Sequence, residues 1–165
     1  MRGVIEQLGT AAGAAAGGGA ARSEITVIDM EASLEHLSRG TLRHADVLLI
    51  VVEPYFRALE TAGRTVRFAR ELRIPHLFGV ANKLRGPEDE RAIREYCAGQ
   101  HLGVIAAVPF DEQVTAADRA GVAVLDAAPA GPAARALEAL ADALQERLGV
   151  LGRGARPPPG PGADS

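Results

Sequence analysis

The sequence contains 165 residues, of which 47% are hydrophobic, 24% are charged and 4% are aromatic. Its length fits one ordinary domain. The net charge of −3 argues against a nucleic-acid partner, because nucleic-acid-binding domains usually carry a clustered basic excess. The only cysteine, Cys97, excludes an intrachain disulfide or paired-cysteine zinc site and is expected to be a buried structural thiol. The longest wholly apolar run, at 47–52, is too short to span a bilayer. These features predict a cytoplasmic protein without a membrane segment.

Composition divides the chain into three segments. Residues 1–23 are rich in Ala and Gly, and they are predicted to be flexible because glycine disfavours helix and little apolar surface is available to bury. Residues 152–165 are rich in Pro and Gly and are predicted to form a disordered tail. Residues 24–151 remain as the folded domain.

The folded segment alternates short apolar runs with amphipathic ones. Predicted strands cover 25–29, 47–52, 77–81 and 104–108, and predicted helices cover 57–73, 87–98, 112–119 and a last stretch with an apolar stripe from Leu137 to Leu148. The third helix is expected to begin after an Asp111 cap and to end at Gly121. This alternation predicts an α/β fold with a mostly parallel sheet flanked by helices. The run at 47–52 is wholly apolar, which is typical of a strand buried on both faces.

Ligands of such sheets bind at the carboxyl ends of the strands. The residues expected there are Asp29, Glu53, Asn82, Lys83, Pro109 and Asp111. The carboxylate of Asp29 suits Mg²⁺ held through water, because Mg²⁺ prefers oxygen ligands and retains part of its water shell. The alternative is that Asp29 caps the turn that follows.

Asn82 and Lys83 are typical of a base-reading element. An Asn amide offers both a donor and an acceptor to a purine edge, and a lysine stem can lie along the ring. Guanine would require a carboxylate two residues after the lysine, but Arg85 stands there, so adenine is favoured. Lys83 is the only lysine among the 18 basic residues. The alternative is a capping Asn followed by a solvated Lys.

The segment from Pro109 to Asp111 either forms a wall beside a base or only ends a strand and caps a helix. No set of residues for nucleophilic catalysis is evident. The 165 residues also contain no G-x-x-x-x-G-K-[ST] motif, since Lys83 is the only lysine. We therefore name no catalytic residue and expect no ATP hydrolysis by this chain alone.

Several motifs together resemble those of the MinD/ParA class of P-loop ATPases, and within it the CooC branch. They occur in the class's order and spacing over about residues 24–148, at 29–41, 51–54, 59–62, 80–83, 108–111 and 117–121. The resemblance implies a Rossmann-like three-layer fold. It also implies ATP or ADP and Mg²⁺ as ligands, and ATP-dependent nickel insertion into a carbon monoxide dehydrogenase-type client enzyme.

The resemblance also assigns roles to individual residues. Asp29 corresponds to the Walker B-type acid near Mg²⁺, and the turn of Ala32 and Ser33 corresponds to a switch segment beside the γ-phosphate. Residues Asn82, Pro109 and Asp111 correspond to the frame around adenine, with Lys83 nearby. The class usually has Gly at the position of Ser33. The paired cysteines of the nickel-binding members are not present in this sequence, so nickel binding by the chain is not expected.

Members of the class begin with a P-loop strand that lies between the equivalents of strands 25–29 and 47–52. Without it, these two strands either pair directly or leave an unpaired apolar edge, which favours aggregation or pairing with another chain. The first hypothesis is therefore the carboxyl-terminal part of a MinD/CooC-type ATPase whose gene is truncated or whose start is misplaced. The alternative is a degenerate ATPase that acts as a non-catalytic module, as a homodimer or docked on an intact homologue. A third hypothesis is an unrelated α/β binding domain in which Asp29 and Asn82 are caps.

Overall fold

The structure, a computed structural model, describes residues 25–30 and 45–151, without the side chains of the last two residues. The predicted flexible segments 1–23 and 152–165 lie outside the described residues, as do Ala32 and Ser33. In the described part, no helix is both long and apolar enough to cross a bilayer.

Strands and helices alternate along the described chain, as the sequence predicts. The elements in chain order are β1 (Val47–Val52), α1 (Phe56–Glu71), β2 (His76–Leu84), α2 (Pro87–Gly99), β3 (Gly103–Pro109), α3 (Glu112–Ala120), α4 (Val124–Ala127) and α5 (Pro132–Leu151). The sequence pattern does not predict α4, which has four residues and no buried side chain. The end of α3 is as predicted: Gly121 adopts a left-handed conformation with φ of 66° and donates its N–H to the last turn.

The three strands form a parallel sheet in the order β1-β2-β3. Val47 pairs with His76 at one end of the β1–β2 ladder, and Val52 pairs with Ala81 at the other. Helices pack against both faces of this sheet, so the predicted α/β class is confirmed. All three strands point the same way, and their carboxyl ends meet at one edge.

One face of the sheet is covered by α1 and α2, and we call it the α1–α2 face. Its cluster of buried residues contains Ile50 and Val52 from β1, Ala81 and Leu84 from β2, Ala62 and Val66 from α1, Ile93 and Cys97 from α2, and Leu102. Cys97 is 1% exposed, and burial raises the pKa of its thiol. The predicted buried structural thiol is confirmed.

The opposite face is covered by α5, and we call it the α5 face. Its buried cluster joins Val80 of β2 and Val108 of β3 to Ala133 of α5. Val80 and its neighbour Ala81 enter different clusters because successive strand residues point to opposite faces. The described helices do not cover β1 fully, since Val51 remains 59% exposed. The expectation that the whole of β1 is buried on both faces is therefore wrong.

The predicted strand at 25–29 is also wrong, because residues 25–30 are assigned to no strand. A strand requires a ladder partner, and among the described residues β1 pairs with β2 alone. Two apolar side chains of the segment, Ile25 and Val27, are exposed. Met30 instead packs with Ala69 and Ile74 in a small cluster. The predicted direct pairing of 25–29 with β1 is therefore not formed.

Candidate functional site

The candidate site lies at the carboxyl ends of the three strands. β2 is longer than predicted and continues to Leu84. Asn82 and Lys83 therefore lie near the end of the strand rather than after it. Ala81 pairs with Ala107, whereas Leu84 pairs with Pro109. Because three steps along β2 match two steps along β3, the end of β2 contains a β-bulge. Bulges redirect side chains and are frequent beside binding sites.

Lys83 occupies a strained backbone conformation in this bulge. Its φ of 57° lies in the left-handed region, which costs a non-glycine residue roughly 1–2 kcal/mol. Its ammonium Nζ lies 2.7 Å from Oε1 of Glu53, which directly follows β1. The hydrogen bond and the charge of Glu53 raise the pKa of Lys83, so this lysine is protonated at neutral pH. The ion pair therefore links the carboxyl ends of β1 and β2.

Asn82 is half-buried beside this ion pair. Within the described part of the chain, its amide makes no side-chain hydrogen bond. A half-buried amide without a protein partner is able to serve a ligand with both its donor and its acceptor. This is the arrangement that the base-reading interpretation of Asn82 requires.

Arg85 and Phe110 form the side of the site next to β3. The guanidinium carbon of Arg85 lies 3.9 Å from the centroid of the Phe110 ring, which is a cation–π contact. The backbone holds both residues in place: Phe110 N–H donates to the Leu84 carbonyl at 2.8 Å, and Arg85 N–H donates to Oδ2 of Asp89 at 2.8 Å. Lys83 thus extends toward β1, whereas Arg85 extends toward β3.

Asp111 acts as a helix cap and as a connection between two helices. Its Oδ1 accepts a hydrogen bond from the Gln113 N–H at 2.9 Å, so the predicted cap of α3 is confirmed. Its Oδ2 accepts one from the Ala133 N–H at 3.3 Å, near the start of α5. The carboxylate is buried and both oxygens are occupied by backbone donors. These contacts position the loop that contains Pro109 and Phe110.

Asp29 is exposed in the described segment 25–30. Its neighbour Met30 packs with Ala69 and Ile74, which lie at the end of α1 and just before β2. That cluster is at the amino ends of the strands, whereas Asn82 is at their carboxyl ends. No group of three or more His, Cys, Asp or Glu side chains able to hold a metal ion occurs among the described residues.

Sequence reasoning missed two contacts at this edge. The ion pair of Glu53 with Lys83 joins residues of neighbouring strands whose carboxyl ends were expected to meet, so their proximity was a usable signal. The contact of Arg85 with Phe110 depends on the length of β2 and on the bulge, and no residue pattern in the sequence indicates either feature. Glu53 and Lys83 were both expected at this edge, whereas Arg85 and Phe110 lie close in sequence to residues that were expected there.

The fold resembles that of solved MinD and ParA proteins. MinD cell division protein from Aquifex aeolicus matches with a TM-score of 0.58 and 17% identity, over 64% of this chain and 46% of that one. A ParA family ATPase from Chlorobium tepidum matches with a TM-score of 0.51 and 22% identity, over 62% of this chain and 42% of that one. At these identities the likeness shows the fold, which is the Rossmann-like three-layer fold of P-loop NTPases.

Sequence comparison gives a more specific result. The carbon monoxide dehydrogenase accessory protein CooC from Rhodospirillum rubrum is 40% identical over 128 residues. The chain is a CooC homologue with the MinD/ParA fold. The match covers 78% of this chain and 47% of CooC, so the homologue spans about half the length of that relative. The predicted resemblance is confirmed.

Two further relatives of this CooC homologue are uncharacterised ATP-binding proteins from Methanocaldococcus jannaschii. One is 38% identical over 94 residues, which is 56% of this chain and 36% of the relative. The other is 37% identical over 101 residues, which is 60% of this chain and 40% of the relative. No model of a known protein family matches the sequence.

Proposed function

We propose that this chain is part of a cytoplasmic ATP-binding accessory protein that supports ATP-dependent metal-centre assembly. The proposed client is a carbon monoxide dehydrogenase-type enzyme, and the proposed metal is nickel. The observation that carries the proposal is the 40% identity over 128 residues with CooC. The relatives described as ATP-binding proteins support the nucleotide part of the proposal.

The base of the nucleotide is proposed to bind at the carboxyl end of β2. In this proposal the Asn82 carbonyl accepts from the adenine N6 amino group and its amide donates to N7, a pairing that suits the two groups geometrically. Pro109 and the loop held by Asp111 frame the ring, and the stem of Lys83 lies nearby. The support from the structure is the amide of Asn82, which is half-buried and makes no hydrogen bond with any described residue.

The phosphate side of the site is proposed to involve Asp29, Ala32 and Ser33. The Asp29 carboxylate is proposed to hold Mg²⁺ through water, and we derive no chemical step from the metal. ATP hydrolysis by this chain alone is not expected. Its sequence contains no phosphate-binding G-x-x-x-x-G-K-[ST] motif, and its only lysine pairs with Glu53.

Calorimetric titration of the purified chain with ATP and ADP tests the nucleotide part. We expect binding of both, and Asn82→Ala should weaken it on the order of tenfold, because the base loses two hydrogen bonds. Gln145→Ala is the matched control, since it removes an amide from an exposed position on α5. Binding that is absent, or equal in Asn82→Ala and wild type, would contradict the proposed site.

A second candidate function is that of a non-catalytic module that forms a dimer or docks on an intact homologue. The observation that favours it is the apolar surface around β1, where Val51 is 59% exposed and Phe56 is 75% exposed. Apolar side chains grouped at the edge of a sheet commonly mark a protein interface. This candidate does not require hydrolysis by the chain itself.

Size-exclusion chromatography with a P-loop-bearing homologue tests this second candidate. We expect co-elution that Val51→Asp abolishes. Val114→Asp is the control, because Val114 is an exposed valine on α3, away from β1. If the two proteins elute separately, or if both variants behave as wild type, the docking function is excluded.

A further inference from the structure

We infer that Arg85 makes the nucleotide site selective for adenine over guanine by presenting hydrogen-bond donors to the N1 edge of the base. This inference rests on the proposed function, because it concerns the same site. It goes beyond that proposal by assigning the base preference to one side chain. Two observations carry it: the guanidinium is held in place, and its donors have no acceptor among the described residues.

The position of Arg85 is set by contacts at both ends of the residue. Its backbone N–H is tied to the Asp89 carboxylate at 2.8 Å, and its guanidinium lies 3.9 Å from the centroid of the Phe110 ring. Phe110 is itself joined to Leu84, the residue before Arg85, by a backbone hydrogen bond of 2.8 Å. The ring therefore supports one side of the guanidinium at the end of β2.

The donors of this guanidinium are available to a ligand as far as the described residues are concerned. Arg94 on α2 donates to Glu90 at 2.7 Å and to the Val104 carbonyl at 3.2 Å. Arg85, in contrast, makes no side-chain hydrogen bond or ion pair with any residue that the structure describes. A guanidinium has five N–H donors and no acceptor, so its preferred ligand atom is an acceptor.

Asn82 and Arg85 lie three residues apart, on either side of the bulge centre, and both offer groups that have no partner in the described part of the chain. If Asn82 binds the N6 and N7 edge of adenine, the next edge of the ring presents N1, which is an acceptor. Guanine presents N1–H and a 2-amino group on that edge, and both are donors. A guanidinium held at this position would thus donate a hydrogen bond to N1 of adenine. The N1–H and 2-amino donors of guanine would instead face a cation that has no acceptor.

The chemistry also defines a competing arrangement. Arginine binds guanine through O6 and N7 where the Hoogsteen edge is presented to it. That arrangement requires Arg85 rather than Asn82 to meet the Hoogsteen edge, and it would favour guanine. The two arrangements predict opposite base preferences, so a binding measurement separates them.

The test is calorimetric titration of wild type and variants with ATP, GTP, ITP and 1-deaza-ATP. Wild type should bind ATP at least about tenfold more tightly than GTP, ITP or 1-deaza-ATP, because each of the last three lacks an acceptor at position 1. Arg85→Ala should bind ATP and 1-deaza-ATP equally. Arg85→Asp introduces an acceptor, so its preference for ATP over GTP should fall on the order of tenfold or more.

Arg67→Asp is the matched control, since it makes the same change of charge at an exposed position on α1, and it should retain the wild-type preference. Circular dichroism of each variant checks the fold, and Arg85→Gln serves as the neutral substitute if Arg85→Asp is unfolded. If the Arg85 variants bind ATP with an unchanged base preference, this inference is overturned, whereas the proposed nucleotide function is not. A wild-type preference for GTP would also overturn it. Failure to bind any of the four nucleotides would overturn both this inference and the proposed nucleotide function.

Discussion

The two faces of the sheet differ in how completely the described helices cover them. On the α1–α2 face, buried residues extend across β1 and β2 to Leu102, and Val52 of β1 is 0% exposed. On the α5 face, the buried cluster is centred on β2 and β3, and Val51 of β1 is exposed. Adjacent valines of the same strand thus have opposite environments. An apolar strand is therefore buried only where another element lies over it.

The same contrast applies to the candidate site. Toward β3, Asp111 ties the loop after that strand to the start of α5, and Phe110 supports Arg85. Toward β1, the described contact is the partly exposed ion pair of Glu53 with Lys83. The β3 side is therefore held by hydrogen bonds from backbone N–H groups to the buried Asp111 carboxylate, whereas the β1 side is held by a surface charge pair that contributes less.

The largest expected effect comes from the pair of adjacent valines. Val52→Ala should lower the free energy of unfolding by about 2 kcal/mol, because it removes buried methyl groups and leaves a cavity. Val51→Ala should change it by less than about 0.5 kcal/mol, as expected for an exposed position. Urea denaturation of both variants measures the difference. Equal losses would show that Val51 is covered in solution, which would contradict the difference in coverage between the two faces.

The next effect concerns the connection through Asp111. Asp111→Ala should cost about 1–2 kcal/mol, because it removes the cap of α3 and leaves the Ala133 N–H without its partner. Asp118→Ala is the control, as Asp118 is exposed in the same helix. Urea denaturation provides the measurement. A loss no larger than that of the control would mean that Asp111 does not join α3 to α5 in solution.

A smaller effect is expected from the strained backbone of Lys83. Lys83→Gly should be more stable than Lys83→Ala by about 1 kcal/mol, since both variants lose the ion pair but glycine adopts a positive φ without strain. Comparing the two variants with each other removes the contribution of Glu53. Thermal denaturation at one pH measures the difference. Equal stability, or a more stable alanine variant, would contradict the left-handed conformation of Lys83.

The smallest expected effect is that of the ion pair itself. Glu53 raises the pKa of Lys83 above its ordinary value of 10.5, so the stabilisation is fully present below that pH and is lost as the pH rises through the folded-state pKa. Because both side chains are partly exposed, Glu53→Gln should cost less than about 0.5 kcal/mol at neutral pH. Lys83 is the only lysine, so ¹³C NMR of labelled lysine follows its titration in one side-chain signal. The midpoint should fall in Glu53→Gln, and an unchanged midpoint would exclude the ion pair.

Much of the fold was predictable because it depends on local patterns. The limits of α1, α2 and α3 differ from their predicted limits by a few residues, and the cap at Asp111 and the end at Gly121 are as expected. Helical periodicity, capping side chains and glycine act within a few residues of where they stand. The parallel arrangement of the strands followed from their alternation with helices.

The candidate site was predictable in position but not in its contacts. The carboxyl end of β2 was identified because parallel strands end at a common edge. The bulge at Asn82 and Lys83 was not identified, because it arises from the register between β2 and β3. The predicted strand at 25–29 failed for a related reason. Its β-branched residues favour an extended chain, but a strand also needs a neighbour with free backbone groups.

The alternation of strands and helices, the caps and the resemblance to the MinD/ParA class follow from the sequence, because each depends on residue types at short spacing. The tertiary structure alone decided which valine of β1 is covered and that Lys83 extends toward Glu53 while Arg85 lies on Phe110. It also decided that Met30 packs at the amino ends of the strands. These features depend on which elements lie next to one another, and contacts between distant residues are set by packing and register rather than by local propensity.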